Sequence, residues 1–339
     1  MTSETPPSDE TNVMILNLPE ELVEGITKHL DLCSVLTFRG VCRGFRDYID
    51  HVIPPSSMRG IAMEVYGNGV DLLLNDPTVA LKKVQYPNND QLQLPVDVFW
   101  ADLRTILTHQ KDPLEYLEVS LAFPKAYGEA EKLSLIKIHF KFLKRLQQLL
   151  KSMKTLIPVK TLRLNVLNQK QIMLILPFVD AENLKKISII RKKGEGTKFF
   201  NLNKVYKTEQ WKSAKELDTF RFVVKGNLER FAHFKRCSIR VMEFSTQLMK
   251  DVKKNFLHAP NLEHIKLHIE KIVSLDNIMR TADETFDRHY KTDGLSNWWC
   301  TTAPEDPEYA LSVESCLGLW LVITRVKLSD IPIVSRIGQ

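Results

Sequence analysis

Residues 159–166 read VKTLRLNV, and the same phrase returns as LEYLEV from Leu114, LKKISII from Leu184, LDTFRFVV from Leu217 and LEHIKLHI from Leu262, with a weaker copy, RCSIRV, around Ile239. Each copy has an apolar residue, two others, then an apolar–x–apolar alternation. A period of two sends alternate side chains to opposite faces, so each phrase predicts a short, half-buried strand. Helical spacing fills the gaps. Ile138–Met153 is the longest such stretch, with Phe142, Leu146, Leu149, Leu150 and Met153 inward, and Gln169–Leu176, Thr208–Glu216 and Ser245–His258 are shorter. Upstream, Val96–Gln110 carries Phe99, Leu103, Ile106 and Leu107 on one face until Lys111-Asp112-Pro113 stops it. Strand and helix in turn, at intervals of some twenty to forty-five residues, predict an α/β chain built as an irregular leucine-rich-repeat-like strand–helix solenoid. The interval varies, and the Asn that usually closes the turn after a repeat strand is missing from matching places, so a plain α+β domain is the alternative.

In such a stack the alternate strand residues line one continuous surface. They are Glu118, Ser120, Arg163, Asn165, Ser188, Arg221, Arg240, Lys266 and His268. Most of the charged ones are basic, which favours an acidic or phosphorylated partner segment.

The remaining bulk properties exclude whole classes. The 339 residues are 44% apolar and 26% charged, an ordinary globular composition, and no run approaches the roughly 20 apolar residues of a membrane span. Five cysteines, Cys33, Cys42, Cys237, Cys300 and Cys316, form no C-x-x-C pair and are too sparse for a disulfide framework, which points to the cytosol or nucleus. The polar, Pro-containing start reads as a disordered tail over residues 1–12 with no secretory h-region. The net charge of +6 is uneven: residues 132–198 carry sixteen Lys or Arg against three acids, +13, leaving −7 elsewhere. Lys137, Lys141, Lys144, Lys151 and Lys154 interleave with apolar residues at helical spacing, so a solvated helix face is favoured over a nucleic-acid surface.

Near the front, residues 17–50 read NLPEELVEGITKHLDLCSVLTFRGVCRGFRDYID. Pro19 suits the first turn of a helix, and Glu20 and Glu21 complement its dipole. Leu22, Val23, Ile26 and Leu30 follow at spacings of three and four as one apolar face. The chain breaks at Asp31, Ser34 offers an N-cap to a second helical stretch, and Pro54 and Pro55 end the unit. A helical unit of this size cannot bury its apolar surface alone and needs something to pack against.

The segment closely resembles the F-box family. Leu18-Pro19, then Leu22, Ile26 and Leu30, then Ser34 and Leu36, and the Val41-Cys42-Arg43 run followed by Phe45 fall at the family's spacing, with Phe45 where the family often carries Trp. The resemblance implies docking on a Skp-type adaptor, and through it a cullin, by Leu18, Pro19, Leu22, Ile26, Leu30, Leu36, Val41, Cys42 and Phe45. Further on, DLRTILTHQKDPLEYLEV (102–119) and TEQWKSAKELDTFRFVV (208–224), with LLKSMKTLIPVKTLRLNV, ILPFVDAENLKKISI and FLHAPNLEHIKLHI, resemble the FTH domain that follows the F-box in nematode F-box A-type proteins. That resemblance spans about residues 94–271, with a weaker continuation through Trp298 to Lys327, and implies recruitment of proteins for ubiquitination with no catalytic residues.

Other constellations weigh less. His264 and His268 alternate with Ile265, Leu267 and Ile269 as in a strand, where residues four apart stand roughly 13 Å from each other, too far to share a zinc ion. Gly194-Glu195-Gly196 lacks the lysine of a nucleotide loop and reads as a turn. Trp298, Trp299 and Trp320, beside the strand-like GLWLVITRVKL, are expected to plug the open end of the stack rather than to serve as recognition anchors. No cofactor and no metal is expected. The chain thus divides into a tail (1–12), an F-box (13–55), a connecting segment (56–93), an FTH-like recognition domain (94–271) and a completing C-terminal part (272–339). The expected function is that of a non-catalytic substrate-recognition subunit of a Skp–cullin–F-box ubiquitin ligase, the alternatives being a non-ligase scaffold or decoy and a nucleic-acid binder using the 132–198 block.

Overall fold

The computed structural model describes residues 19–28, 30, 32–52, 58–75, 81–87, 97–110, 112–122, 128–190, 199–224, 227–272, 274–292, 296–316 and 319–331. Three short helices come first, α1 (Glu20–Lys28), α2 (Leu32–Val41) and α3 (Arg43–Val52). There follow β1 (Gly60–Tyr66), β2 (Gly69–Asn75), β3 (Lys82–Pro87), α4 (Asp97–His109), β4 (Leu114–Leu121), α5 (Glu129–Ser152), β5 (Val159–Asn165), α6 (Gln169–Ile172), β6 (Lys186–Ile190), β7 (Phe199–Phe200), α7 (Glu209–Ser213) and β8 (Glu216–Val224). The chain continues with β9 (Arg236–Phe244), α8 (Thr246–Phe256), β10 (His264–Ile272), α9 (Leu275–Thr285), β11 (Arg288–Thr292), β12 (Ser296–Ala303), β13 (Asp306–Cys316) and β14 (Trp320–Lys327).

All the strands join one mixed sheet in the order β11-β12-β13-β14-β10-β9-β8-β6-β5-β4-β1-β2-β3, with β7 beside β8. From β1 through β4, β5, β6, β8 and β9 to β10 the pairs are parallel, and each strand lies next to the one before it in this series. Parallel neighbours need long crossovers, which the helices and 3-10 turns supply. Antiparallel hairpins close both ends, β2 and β3 at one and β11–β14 at the other. Gly69 turns the β1–β2 hairpin at φ +154°, and a Cβ there would stand 2.5 Å from the Tyr86 carbonyl oxygen.

The five repeated phrases all form strands, and their leading residues Leu114, Val159, Leu184, Leu217 and Leu262 are all buried. Register aligns their inward positions. Ile61, Leu117, Leu162, Ile187, Leu217, Cys237, Ile265, Ile323, Val313 and Trp299 stand side by side across ten strands, all buried in one hydrophobic core. Burial pushes the Cys237 thiol well above its ordinary pKa, so it behaves there as a small apolar residue.

The segment 56–93, expected to be a connecting stretch with strand-like and turn-like pieces, supplies β1–β3, which hydrogen-bond into this same sheet. α5 begins at Glu129, earlier than the expected Ile138, because Leu133 lies exposed and blurs the apolar period at its start. Glu131 closes that start by accepting from the Gly128 amide at 2.9 Å. The Gln169–Leu176 helix is shorter than expected, giving way to a 3-10 turn at Leu176–Phe178. Ser34 does not cap α2, which already runs from Leu32.

The tryptophans part company through strand alternation. Trp299 is fully buried and its Nε1 donates to Asp283 at 2.9 Å, so it plugs the core near the β11 end as expected. Trp298 faces the other way into a small second cluster with Cys300, Ala310 and Ile331, while half-buried Trp320 lies on the open face of the sheet, not in the plug.

Candidate functional site

Two surfaces carry the expected binding residues. The first is the helical unit. In α1, Val23 and Thr27 turn inward, four residues apart, while Leu22 and Ile26 stay 54% and 39% exposed. The expected single face Leu22-Val23-Ile26-Leu30 is therefore split, because residues i and i+1 on a helix diverge by about 100°. Thr27 closes its inward position by donating to the Val23 carbonyl at 2.9 Å. At the α2–α3 junction Val41 is 66% exposed. Cys42 caps α3: its Sγ accepts from the Phe45 amide at 3.5 Å. Phe45 is only 3% exposed and its ring lies 3.9 Å from that of Phe38, so it holds the unit together from inside. Leu36 packs against the sheet's core, and Leu30 joins Val35 and Ile49 in a small local core. Of the expected adaptor residues, Pro19, Leu22, Ile26 and Val41 are exposed, Leu18 lies outside the described residues, and Leu36 and Phe45 are engaged within the chain.

Sequence reading missed what fastens this unit to the rest. Arg39, 8% exposed, donates to both carboxylate oxygens of Asp50, at 2.7 and 3.1 Å, and to Asp102 in α4 at 3.0 Å. The Tyr86 hydroxyl of β3 donates to the other Asp102 oxygen at 2.9 Å. Burial raises the Asp102 carboxyl above its ordinary pKa, against the pull of Tyr86 and Arg39, while the Asp50 hydrogen bonds raise the Arg39 guanidinium. Arg39 and Asp102 are 63 residues apart in the chain, so no local spacing announces the pair.

The second surface is the open side of the sheet. Register sets Glu118, Arg163, Ser188, Asp218, Ser238 and Lys266 in one row across six parallel strands. The next row brings Ser120 beside Asn165, whose amide donates to the serine hydroxyl at 3.1 Å, and sets Arg240 beside His268 and Trp320. The expected residues therefore do share a face, except that the Arg221 side chain lies outside the described residues. Ser120 and Ser188 are buried among larger neighbours and offer little surface.

The basic character expected of that face is reduced by pairing. Arg163 stands 3.6 Å from Glu118 and 4.9 Å over the Tyr116 ring, and Arg240 pairs with Glu270. Asp218 occupies the middle of the row, its carboxyl raised by burial, with Lys186 and His268 pulling the other way. Burial, then Lys266 and Arg240, lower the pKa of His268, which faces the Ser238 hydroxyl at 3.4 Å. The Lys266 ammonium sits 4.9 Å from the Trp320 ring. The face is thus a mixed-charge surface with an aromatic corner. Elsewhere, Lys137, Lys141, Lys144, Lys151 and Lys154 are exposed around and just after α5. Gly194-Glu195-Gly196 lies outside the described residues.

Among the described residues no group of three or more His, Cys, Asp or Glu is placed to hold a metal, and no helix is long and apolar enough to cross a membrane. No curated protein matches the chain. The family model of the F-box domain matches residues 15–56, spanning α1–α3, and that of the FTH domain matches residues 140–288, from within α5 to the first residue of β11. Three helices fill the first match, and strands β5–β10 with their crossovers lie within the second, so the chain carries an F-box domain followed by an FTH domain.

Proposed function

We propose that the chain is the substrate-recognition subunit of a Skp–cullin–F-box ubiquitin ligase, working in the cytosol or nucleus and itself non-catalytic. The F-box would hold a Skp-type adaptor, and the sheet domain would hold the protein to be marked. The chain would then contribute proximity, keeping a target lysine within reach of the charged ubiquitin carrier.

The observation that carries this reading is the exposure of Leu22, Ile26 and Val41 on a unit whose inward residues, Val23, Phe45 and Ile49, are already satisfied. Large apolar residues displayed together on a folded helical unit mark a surface that another protein covers. Full burial of one aliphatic side chain is worth about 1.5–3 kcal/mol, so a few such anchors bring a gross gain comparable with the cost of association, and losing one should weaken capture about tenfold or more.

For the second half of the chain, the sequential, parallel neighbour order of β1, β4, β5, β6, β8, β9 and β10 supports an irregular leucine-rich-repeat-like solenoid capped by hairpins. Its open face would include Glu118, Arg163, Arg240, Lys266, His268 and Trp320. We divide the chain into an F-box over residues 13–55 and a single recognition domain running from residue 58 to the end, since β1–β3 and β11–β14 extend the same sheet.

A pull-down tests the ligase half. The wild-type chain should retain a Skp-type adaptor, and Leu18→Ala/Pro19→Ala and Leu22→Ala/Ile26→Ala should each lose it while keeping the wild-type melting temperature. Failure of the wild type to bind any such adaptor would leave only a protein-binding scaffold.

A further inference from the structure

While Phe142, Leu146 and Leu149 of α5 turn into the core, its opposite side faces outward. Leu133 and Phe140 on that side are 61% and 41% exposed. Half-buried Ile136 lies between them at spacings of three and four, so the three make one continuous apolar strip. Lys137, Lys144 and Lys151 run beside the strip, all exposed, and none joins an ion pair among the described residues. The Lys144 ammonium stands 5.7 Å from the centre of the Phe140 ring.

Two features separate this side of α5 from an ordinary solvated helix face. The first is its charge. No Asp or Glu occurs from residue 132 to the end of α5 at Ser152, and Lys137, Lys141 and Arg145 follow one another at intervals of four. Like charges at that spacing repel, where a helix exposed only to water gains from alternating signs. Of these three, only Arg145 meets a carboxylate among the described residues, that of Asp97. The second feature is period. Leu133 and Phe140 stand seven residues apart, and so do Lys137, Lys144 and Lys151 in turn. At 1.5 Å per residue the cations recur about every 10.5 Å along the axis. A seven-residue repeat of apolar and charged positions suits a second helix packed alongside, with the charges selecting the partner. A lipid surface would answer the charge but not the repeat, and three apolar residues are few for insertion.

We propose that the outer side of α5 docks an acidic amphipathic helix of a partner protein. The apolar side of that helix covers Leu133, Ile136 and Phe140, and its carboxylates, seven residues apart, meet Lys137, Lys144 and Lys151. This surface belongs neither to the F-box nor to the open face of the sheet, so the inference stands or falls apart from the ligase reading.

The full chain is titrated by fluorescence anisotropy with a labelled three-heptad peptide carrying Leu at positions a and d and Glu at e and g, and with its twin carrying Lys at e and g. Vesicles of equimolar phosphatidylcholine and phosphatidylserine are tested by co-sedimentation. The Glu peptide should bind saturably and at least tenfold more tightly than the Lys twin. Lys137→Glu/Lys144→Glu/Lys151→Glu should bind the Glu peptide tenfold or more weakly and the Lys twin more tightly, while its melting temperature holds or rises. A folding defect would not reverse the preference in this way. Leu133→Ser/Phe140→Ser should weaken the Glu peptide threefold or more. Equal affinity for the two peptides, no saturable binding, or a triple variant that keeps the wild-type preference would overturn the proposal. Vesicle binding that the triple variant loses, without binding of the Glu peptide, would also overturn it and assign this side of α5 to a membrane surface.

Discussion

Replacing Arg39 by Met keeps most of the side chain's volume and removes the charge that joins α2 and α3 to α4. The guanidinium makes three hydrogen bonds at 2.7–3.1 Å, and its side chain is 10% exposed, as is that of Asp102, whereas that of Asp50 is 37% exposed. Breaking a buried ion pair by removing one partner costs about 3–5 kcal/mol. Asp50 can turn to water and recover much of its share, so the cost falls mainly on Asp102, which then keeps the Tyr86 hydrogen bond, and about 2–3 kcal/mol is expected. The loss should depend on pH. Burial already holds the folded Asp102 carboxyl above its unfolded value, and Arg39 opposes that rise, so the Met variant raises it further. A carboxyl whose folded pKa is raised favours folding when protonated and opposes it once pH passes through that folded pKa. The deficit of Arg39→Met relative to wild type should therefore be largest at neutral pH and shrink steadily toward the unfolded carboxylate value of about 3.9. Urea denaturation at several pH values, with Asp102→Asn completing a double-mutant cycle, measures both quantities. A deficit below about 0.5 kcal/mol, or one that grows on acidification, would refute the argument that this buried cluster fastens the F-box to the sheet domain.

Further outcomes are expected. Phe45→Ala should cost about 3–5 kcal/mol and destabilise the F-box from within, whereas Val41→Glu should leave stability nearly unchanged and abolish adaptor capture. Trp299→Phe should destabilise the chain by about 1–3 kcal/mol, seen as a lower urea midpoint, because the buried indole is shortened and its hydrogen bond to Asp283 at the β11 end is lost. Arg163→Glu with Lys266→Glu should abolish target capture on the open face while adaptor binding persists, and unchanged capture would move the target site elsewhere. Gly69→Ala should lower stability by more than 1 kcal/mol, since its φ of +154° disfavours a side chain and Tyr86 blocks the Cβ.

Much of the sheet was legible in the residues themselves. Leu162 and Leu164 alternate with Arg163, and Ile265 and Leu267 with Lys266, because an extended chain has no freedom about which side chains share a face. The helix expected from Ser245 was legible for a similar reason, and the structure adds its cap, the Ser245 hydroxyl accepting from the Leu248 amide three residues on, at 3.2 Å. The F-box spacing was equally local, and the family matches place an F-box and an FTH domain on the chain.

Tertiary structure alone decided the rest, and in each case the deciding contact joins residues remote in sequence. Which of Leu22 and Val23 turns inward depends on what α1 packs against, not on its own period. Whether β1–β3 form a linker or part of the sheet depends on β4, which pairs with β1 from more than fifty residues away. The charge of the open face is set by Glu118 beside Arg163 and Glu270 beside Arg240, pairings across strands that a count of cations does not contain. The Arg39–Asp102 fastening and the exposure of Leu133 and Phe140 follow the same rule. Period and capping are properties of neighbouring residues, whereas burial, pairing and exposure are properties of surfaces that exist only after the chain has folded.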